Sequence, residues 1–132
     1  MTADEERTYF VDTCSDTRAK LAREFKQHRD AFVALGDENR QGIFLALLEG
    51  PTEGMRVTEL TEQSSLSRPA VSHHLKVLRD ARLINMRSEG TRNFYYVDPQ
   101  NTAWLDIAKL FEHISTAIEN CSFAAGYEKG RA

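Results

Sequence analysis

The sequence predicts a mostly helical fold closed by a small β-hairpin, and three observations carry that reading. Apolar residues recur at spacings of three, four and seven through segments that begin on good capping residues and stop at glycine or proline. After Leu83 the helical period gives way to alternation around a glycine turn. A wide apolar and aromatic stripe, Trp104, Ile107, Ala108, Phe111, Ile114 and Ile118, then marks a last helix beginning near Asn101 or Thr102.

The elements follow in order. The first dozen residues read as a frayed arm. From Ser15 or Asp16, either a good N-cap, a helix is expected through Leu21, Phe25 and Phe32, ending at Gly36. Asp37 caps the next, DENRQGIFLALLEG, with Ile43, Ala46 and Leu47 on one face and Gly50-Pro51 as the stop. Thr58 is placed to cap a short third helix that ends in the polar turn QSSLS. Ser67 caps a fourth. There Pro69 falls in the first turn, where its missing N–H is harmless, and Val71, Leu75 and Leu78 repeat at four and seven with Val77 beside them. The opposite face shows Arg68, Ser72, His73, Lys76 and Arg79, polar and mostly cationic. The hairpin pairs the run from Ile84 to Ser88 with Asn93 to Val97 across Glu89-Gly90-Thr91, with Arg87 and Arg92 at its flanks and tip.

Composition bounds what this arrangement can do. The 132 residues suffice for one domain, and the net charge of −3 hides a polarised distribution. Residues 1–54 carry 7 basic and 11 acidic side chains, residues 55–96 carry 7 and 4, and residues 97–132 carry 3 and 5. A basic middle between acidic flanks can direct a polyanion to one surface. The start, MTADEERTYF, has neither a basic leader nor an apolar run, and the longest strictly apolar stretch, IFLALL, is far short of a membrane span, so no membrane partner is expected. The two cysteines, Cys14 and Cys121, fit neither a disulfide-dense scaffold nor a metal knuckle, and a reducing cytoplasm is the expected compartment.

A short helix, a tight turn, a capped helix with a cationic face and a basic hairpin form, in that order, a winged helix-turn-helix. The capped helix suits the width of the DNA major groove, and the hairpin reaches neighbouring backbone. Arg68, Ser72 and His73 are then expected at base edges, with Lys76, Thr91 and Arg92 on phosphates. Ser67 and the free N–H groups of the helix start can hold a further phosphate. Adjacent histidines on a helix point about 100° apart. His73 therefore shares the exposed face, His74 turns toward the preceding helix and the flank of the core, and the pair makes no common metal site.

The segments ALGDENRQGIFLALLEG, VTELTEQSSLSRPAVSHHLKVLRDARLI and RSEGTRNFYYV resemble the ArsR/SmtB family of bacterial winged-helix repressors, over about residues 30 to 98. The resemblance implies a homodimer formed largely by the first and last helices, bound to a palindromic operator on double-stranded DNA and released by an inducer. Its interface would fall on Leu21, Phe25, Trp104, Ile107, Phe111, Ile114 and Ile118. The chain would then be one winged-helix domain: residues 1–35 an arm and dimerisation helix, 36–98 the core, 99–132 a dimerisation helix and tail.

The family's inducer sites do not carry over. Where its arsenic and lead sensors have thiolates, as CVCDL, this chain has Arg56-Val57-Thr58-Glu59-Leu60. At the zinc-sensor positions it has Pro99, Asn101, Glu112 and Ser115, with His113 one residue out of phase. No metal and no cofactor is expected, and the inducer is left open. Cys14, expected just before the first helix where the dipole would lower its pKa, and Cys121 on the last stripe are a candidate thiol switch, set against the simpler reading of two inert side chains. Two alternatives compete: a winged-helix module whose basic face meets an acidic protein, and an enzyme. The second lacks a phosphate loop, a nucleophile elbow and a convergent carboxylate pair.

Overall fold

A computed structural model describes residues 3–122 of the chain, with side chains from 14 to 121. The described residues divide into two compact units, 28–105 and a second made of residues 3–27 and 106–122. In the first, α2 (Arg29–Leu35), α3 (Glu38–Glu49), α4 (Val57–Glu62) and α5 (Arg68–Asp80) precede an antiparallel hairpin, β1 (Asn85–Glu89) and β2 (Arg92–Tyr96). The second holds α1 (Ala3–Gln27), most of α6 (Trp104–Ala117) and a π-helical turn, Ile118–Ser122.

Helix α5 is the hub of its unit, packed against α2, α3 and α4. Its inward residues Val71, Leu75 and Leu78 are each 0 % exposed, as are Ala34 and Leu83. Ile43 and Leu47 of α3 and Leu60 of α4 join the same core, burial that supplies most of the helices' stability. Two of the four expected caps form: Asp37 Oδ1 accepts from Arg40 N at 3.0 Å, and Ser67 Oγ accepts from Ala70 N at 3.3 Å. Helix α5 closes in a Schellman turn. Leu83 N donates to Leu78 O and Arg82 N to Arg79 O, with Arg82 at φ 60°, left-handed backbone usually given to glycine.

The hairpin pairs Asn85 with Tyr96 through Glu89 with Arg92 and turns at Gly90, where φ is 62°. It is also anchored behind by a bridge that the residue pattern did not announce. Met55 and Tyr95 exchange N–H···O bonds of 2.9 and 2.8 Å. Gly54 makes that approach possible: at φ 104° a Cβ would sit 2.6 Å from Tyr95 O.

Three sequence expectations are corrected. The first helix starts at Ala3, not at Ser15 or Asp16, because two capping residues cannot interrupt a helix whose flanking backbone continues its hydrogen bonds. It does not run on to Phe32 either: it ends at Gln27, and α2 starts afresh after His28. The third helix is capped at Arg56 and not at Thr58; Glu59 Oε1 accepts from Arg56 N at 3.3 Å and closes the first turn from inside.

Two outcomes follow for stability. Arg82→Gly relieves left-handed backbone and should raise the unfolding free energy by roughly 0.5–1 kcal/mol, the usual steric penalty less glycine's entropy; an unchanged or lower urea midpoint would contradict the turn. The hydrogen bond from Arg40 N, above all, holds the Asp37 carboxyl below its ordinary value, with the charges of Arg40 and His74 adding and desolvation opposing. Its contribution is complete above the unfolded pKa and fades as pH falls through the lower folded one. Asp37→Asn keeps a good cap, so it should leave stability at pH 7 nearly unchanged and make the loss below about pH 5 shallower, read as melting temperature against pH.

Candidate nucleic-acid interface

With one side of α5 sunk in the core, the residues between its apolar positions have one direction left. Ser67, Arg68, Ser72, His73, Lys76 and Arg79 are all exposed. Pro69 occupies the first turn, so the helix start presents its free N–H groups beside the Ser67 hydroxyl. Lys76 Nζ lies 2.8 Å from Asp80 Oδ2, but both side chains are mostly in water. Such a pair holds little energy, which leaves Lys76 able to exchange its carboxylate for another anion. Arg79 is held further along the helix by Met86 Sδ at 3.6 Å.

The two histidines separate as expected, although the inner one meets Arg40 of α3, not the helix just before α5. Their ring centroids are 5.8 Å apart with planes tilted by 54°. His73 is exposed; His74 is half-buried, its Nδ1 3.4 Å from Arg40 Nη1. Arg40 in turn donates from Nε to Ala34 O at 2.9 Å, so the inner histidine ties α5 to the joint between α2 and α3. Arg40 was not singled out from the sequence, and no local spacing could mark it, because its partner lies 34 residues away.

On the hairpin, Thr91 and Arg92 stand exposed beside Gly90. Ser88 Oγ and Asn93 Oδ1, 2.7 Å apart, brace the turn. Arg87 behaves differently from Arg92. Its guanidinium lies 4.8 Å from the centre of the Phe94 ring and 5.8 Å from that of Tyr96, pairs with Glu89 at 3.2 Å, and donates to Glu53 O. Cation–π contact and two anionic or carbonyl partners make it a clamp on the wing; Arg92 remains the cation at the tip.

The unit of α1 and α6 gathers other sequence-chosen residues. Leu21, Phe25, Ile114 and Ile118 line one apolar groove of about 280 Å³. Phe25, Phe111 and Ile118 are exposed, whereas Ile107 is buried. Trp104 belongs to the other unit, where its indole N–H donates to Leu83 O at 2.9 Å and its ring stands 5.0 Å from Phe44. Cys14 lies inside α1, not ahead of it, which removes the helix-start argument for an acidic thiol, and it is disulfide-bonded to Cys121 with Cα atoms 5.8 Å apart. His113 Nδ1 is 3.5 Å from Glu24 Oε1. Among the described residues, no three His, Cys, Asp or Glu side chains converge as a metal site. None of the described helices is long and apolar enough to cross a membrane.

Comparison with known proteins agrees with this geometry. The profile of bacterial regulatory proteins of the arsR family matches residues 37–86. An HTH-type transcriptional regulator of Mycobacterium tuberculosis is 47 % identical over 75 residues, 57 % of this chain and 67 % of that protein. The arsenical resistance operon repressor of Bacillus subtilis is 36 % identical over 81 residues, 61 % of this chain and 71 % of its own length. In three dimensions, an ArsR-like transcriptional regulator from Rhodococcus superposes with a TM-score of 0.61 at 19 % identity, over 82 % of this chain and 94 % of that one. The chain therefore belongs to the ArsR/SmtB family of winged helix-turn-helix, DNA-binding transcriptional regulators.

Proposed function

We propose that the protein is a dimeric, cytoplasmic repressor that lays α5 of each protomer into successive major grooves of a palindromic operator. One observation carries the reading: Val71, Leu75 and Leu78 are wholly buried while every polar residue of the opposite face is exposed. In this arrangement Arg68, Ser72 and His73 meet base edges near the helix start. Ser67, Lys76, Thr91 and Arg92 meet phosphates, and the wing clamp on Arg87 fixes where Arg92 stands. The groove of Leu21, Phe25, Ile114 and Ile118, with the exposed Phe111, supplies the apolar surface for the second copy; apolar patches of this kind on small proteins mark association surfaces.

The test is titration of duplex DNA from the protein's own promoter across a salt series. Phosphate contacts make log affinity fall linearly with log salt, by about 0.9 for each phosphate neutralised. Lys76→Ala should weaken promoter and random duplexes alike and flatten the slope by about one unit, whereas Arg68→Ala should weaken the promoter selectively, by tenfold or more. A salt-independent affinity, or preference for an acidic peptide over duplex, would favour the protein-interaction module instead.

A second reading concerns the inducer, and the Cys14–Cys121 disulfide favours it. Both thiols of the chain are used in this one bond, across 107 residues of sequence, within the unit that also holds the apolar groove. An oxidant such as hydrogen peroxide takes two electrons and two protons from the thiols and leaves as two waters; a dithiol reductant reverses it. Cytoplasmic disulfides are commonly of this transient, sensing kind. Promoter affinity should then differ between peroxide-treated and reduced protein, and Cys14→Ser and Cys121→Ser should each abolish the difference. Equal affinity of the oxidised and reduced forms would remove the switch and leave the DNA reading standing.

A further inference from the structure

A cavity of about 480 Å³ in the His28–Leu105 unit is lined by none of the residues of the cationic face. That is within the range of small-molecule sites, roughly 300–1,000 Å³. Its walls come from the second half of α3, through Phe44, Leu47 and Leu48, from Pro51 and Thr52 after it, and from Val97 and Trp104 beyond the hairpin. Among the described residues that line it, none carries a charge.

Several features make the cavity preformed. The Trp104 ring is pinned, because its N–H donates to Leu83 O at 2.9 Å, and Phe44 packs beside it at 5.0 Å with planes 32° apart. Pro51 and Pro99 stiffen the rim, since proline fixes φ. Gly50 lets the wall close tightly: a Cβ there would lie 2.7 Å from Met55 Sδ and 2.8 Å from Ala46 O. A pocket that is already shaped loses little entropy on binding.

We propose that this cavity binds an uncharged, mostly apolar organic molecule of one or two rings, such as a neutral aromatic alcohol. Two flat ring faces offer offset stacking or edge contact to an aromatic guest. The Thr52 hydroxyl is a polar handle for a hydroxyl or carbonyl. An ionic ligand is disfavoured because it would leave water for a lining that offers no opposite charge. Metal ions and oxyanions are therefore poor candidates here. The inference does not depend on the DNA reading, since binding to the free protein is measured without DNA.

The experiment is calorimetric titration of the full chain with 1-naphthalenemethanol and with 1-naphthoate, which share a ring system and differ in charge at neutral pH. The alcohol should bind saturably at one molecule per chain, shift the emission of Trp104, the single tryptophan, and exceed the carboxylate in affinity by tenfold or more. Leu48→Glu puts a carboxylate at an exposed wall position and should weaken the alcohol by at least tenfold; Leu45→Glu, on the same helix but outside the cavity, should bind as the parent does. The absence of saturable heat, equal binding of the carboxylate, or unchanged binding by Leu48→Glu would overturn the proposal. So would a change of oligomeric state in place of one-to-one binding, which would make the cavity part of an interface between copies.

Discussion

What the His28–Leu105 unit presents along α5 depends on how that helix is held in the core. Val71, Leu75 and Leu78 repeat along one side and leave no area accessible to solvent. A rotation of the helix by a single residue would expose leucines and turn Ser72, Lys76 and Arg79 into the core, at a cost of several kcal/mol. The azimuth of the helix is therefore fixed by burial, and with it the direction in which Arg68, Ser72, His73 and Lys76 point. His74, lodged against Arg40, adds a polar lock on the same azimuth.

The wing is positioned by a separate set of interactions with the same effect. A two-stranded hairpin is marginal by itself, and here it is held by the Met55–Tyr95 bridge, by the close approach at Gly54 and by the Arg87 clamp over Phe94. The tip residues Thr91 and Arg92 take no part in that anchoring and stay in solvent. Within this unit, structural residues and those available to a ligand thus alternate along both α5 and the hairpin. That is the arrangement expected of a small domain that keeps a rigid scaffold beneath a polar surface.

Local pattern carried far in this sequence where burial and capping act over a few residues. The α5 stripe, the Ser67 and Asp37 caps, the Gly90 turn and the inward turn of His74 were all legible, because each follows from spacing alone. The misses share a different cause. Ser15 and Asp16 look like a helix start but sit within α1, since capping propensity is weak against an uninterrupted hydrogen-bond ladder. The break at His28 and the bridge from Met55 to Tyr95 leave no periodic trace, and the left-handed Arg82 closes a local turn that no glycine announces. The pairing of Cys14 with Cys121 spans 107 residues and could only be raised as a question by the sequence. For the candidate interface the residues' exposure was legible. Arg40, which orients His74, and Phe44, which packs on Trp104, were not, as their partners are remote in the chain.

The central claim is that one fixed face of α5, with the wing tip, is what meets duplex DNA. Backbone amide shifts of the labelled protein, followed by NMR as promoter duplex is added, test it residue by residue. The account predicts that the largest changes cluster at Ser67–Lys76 and at Gly90–Arg92, while Ile43, Leu47 and Leu60 in the core stay nearly still. Changes centred instead on α3 and α4, with the outward residues of α5 unmoved, would contradict it.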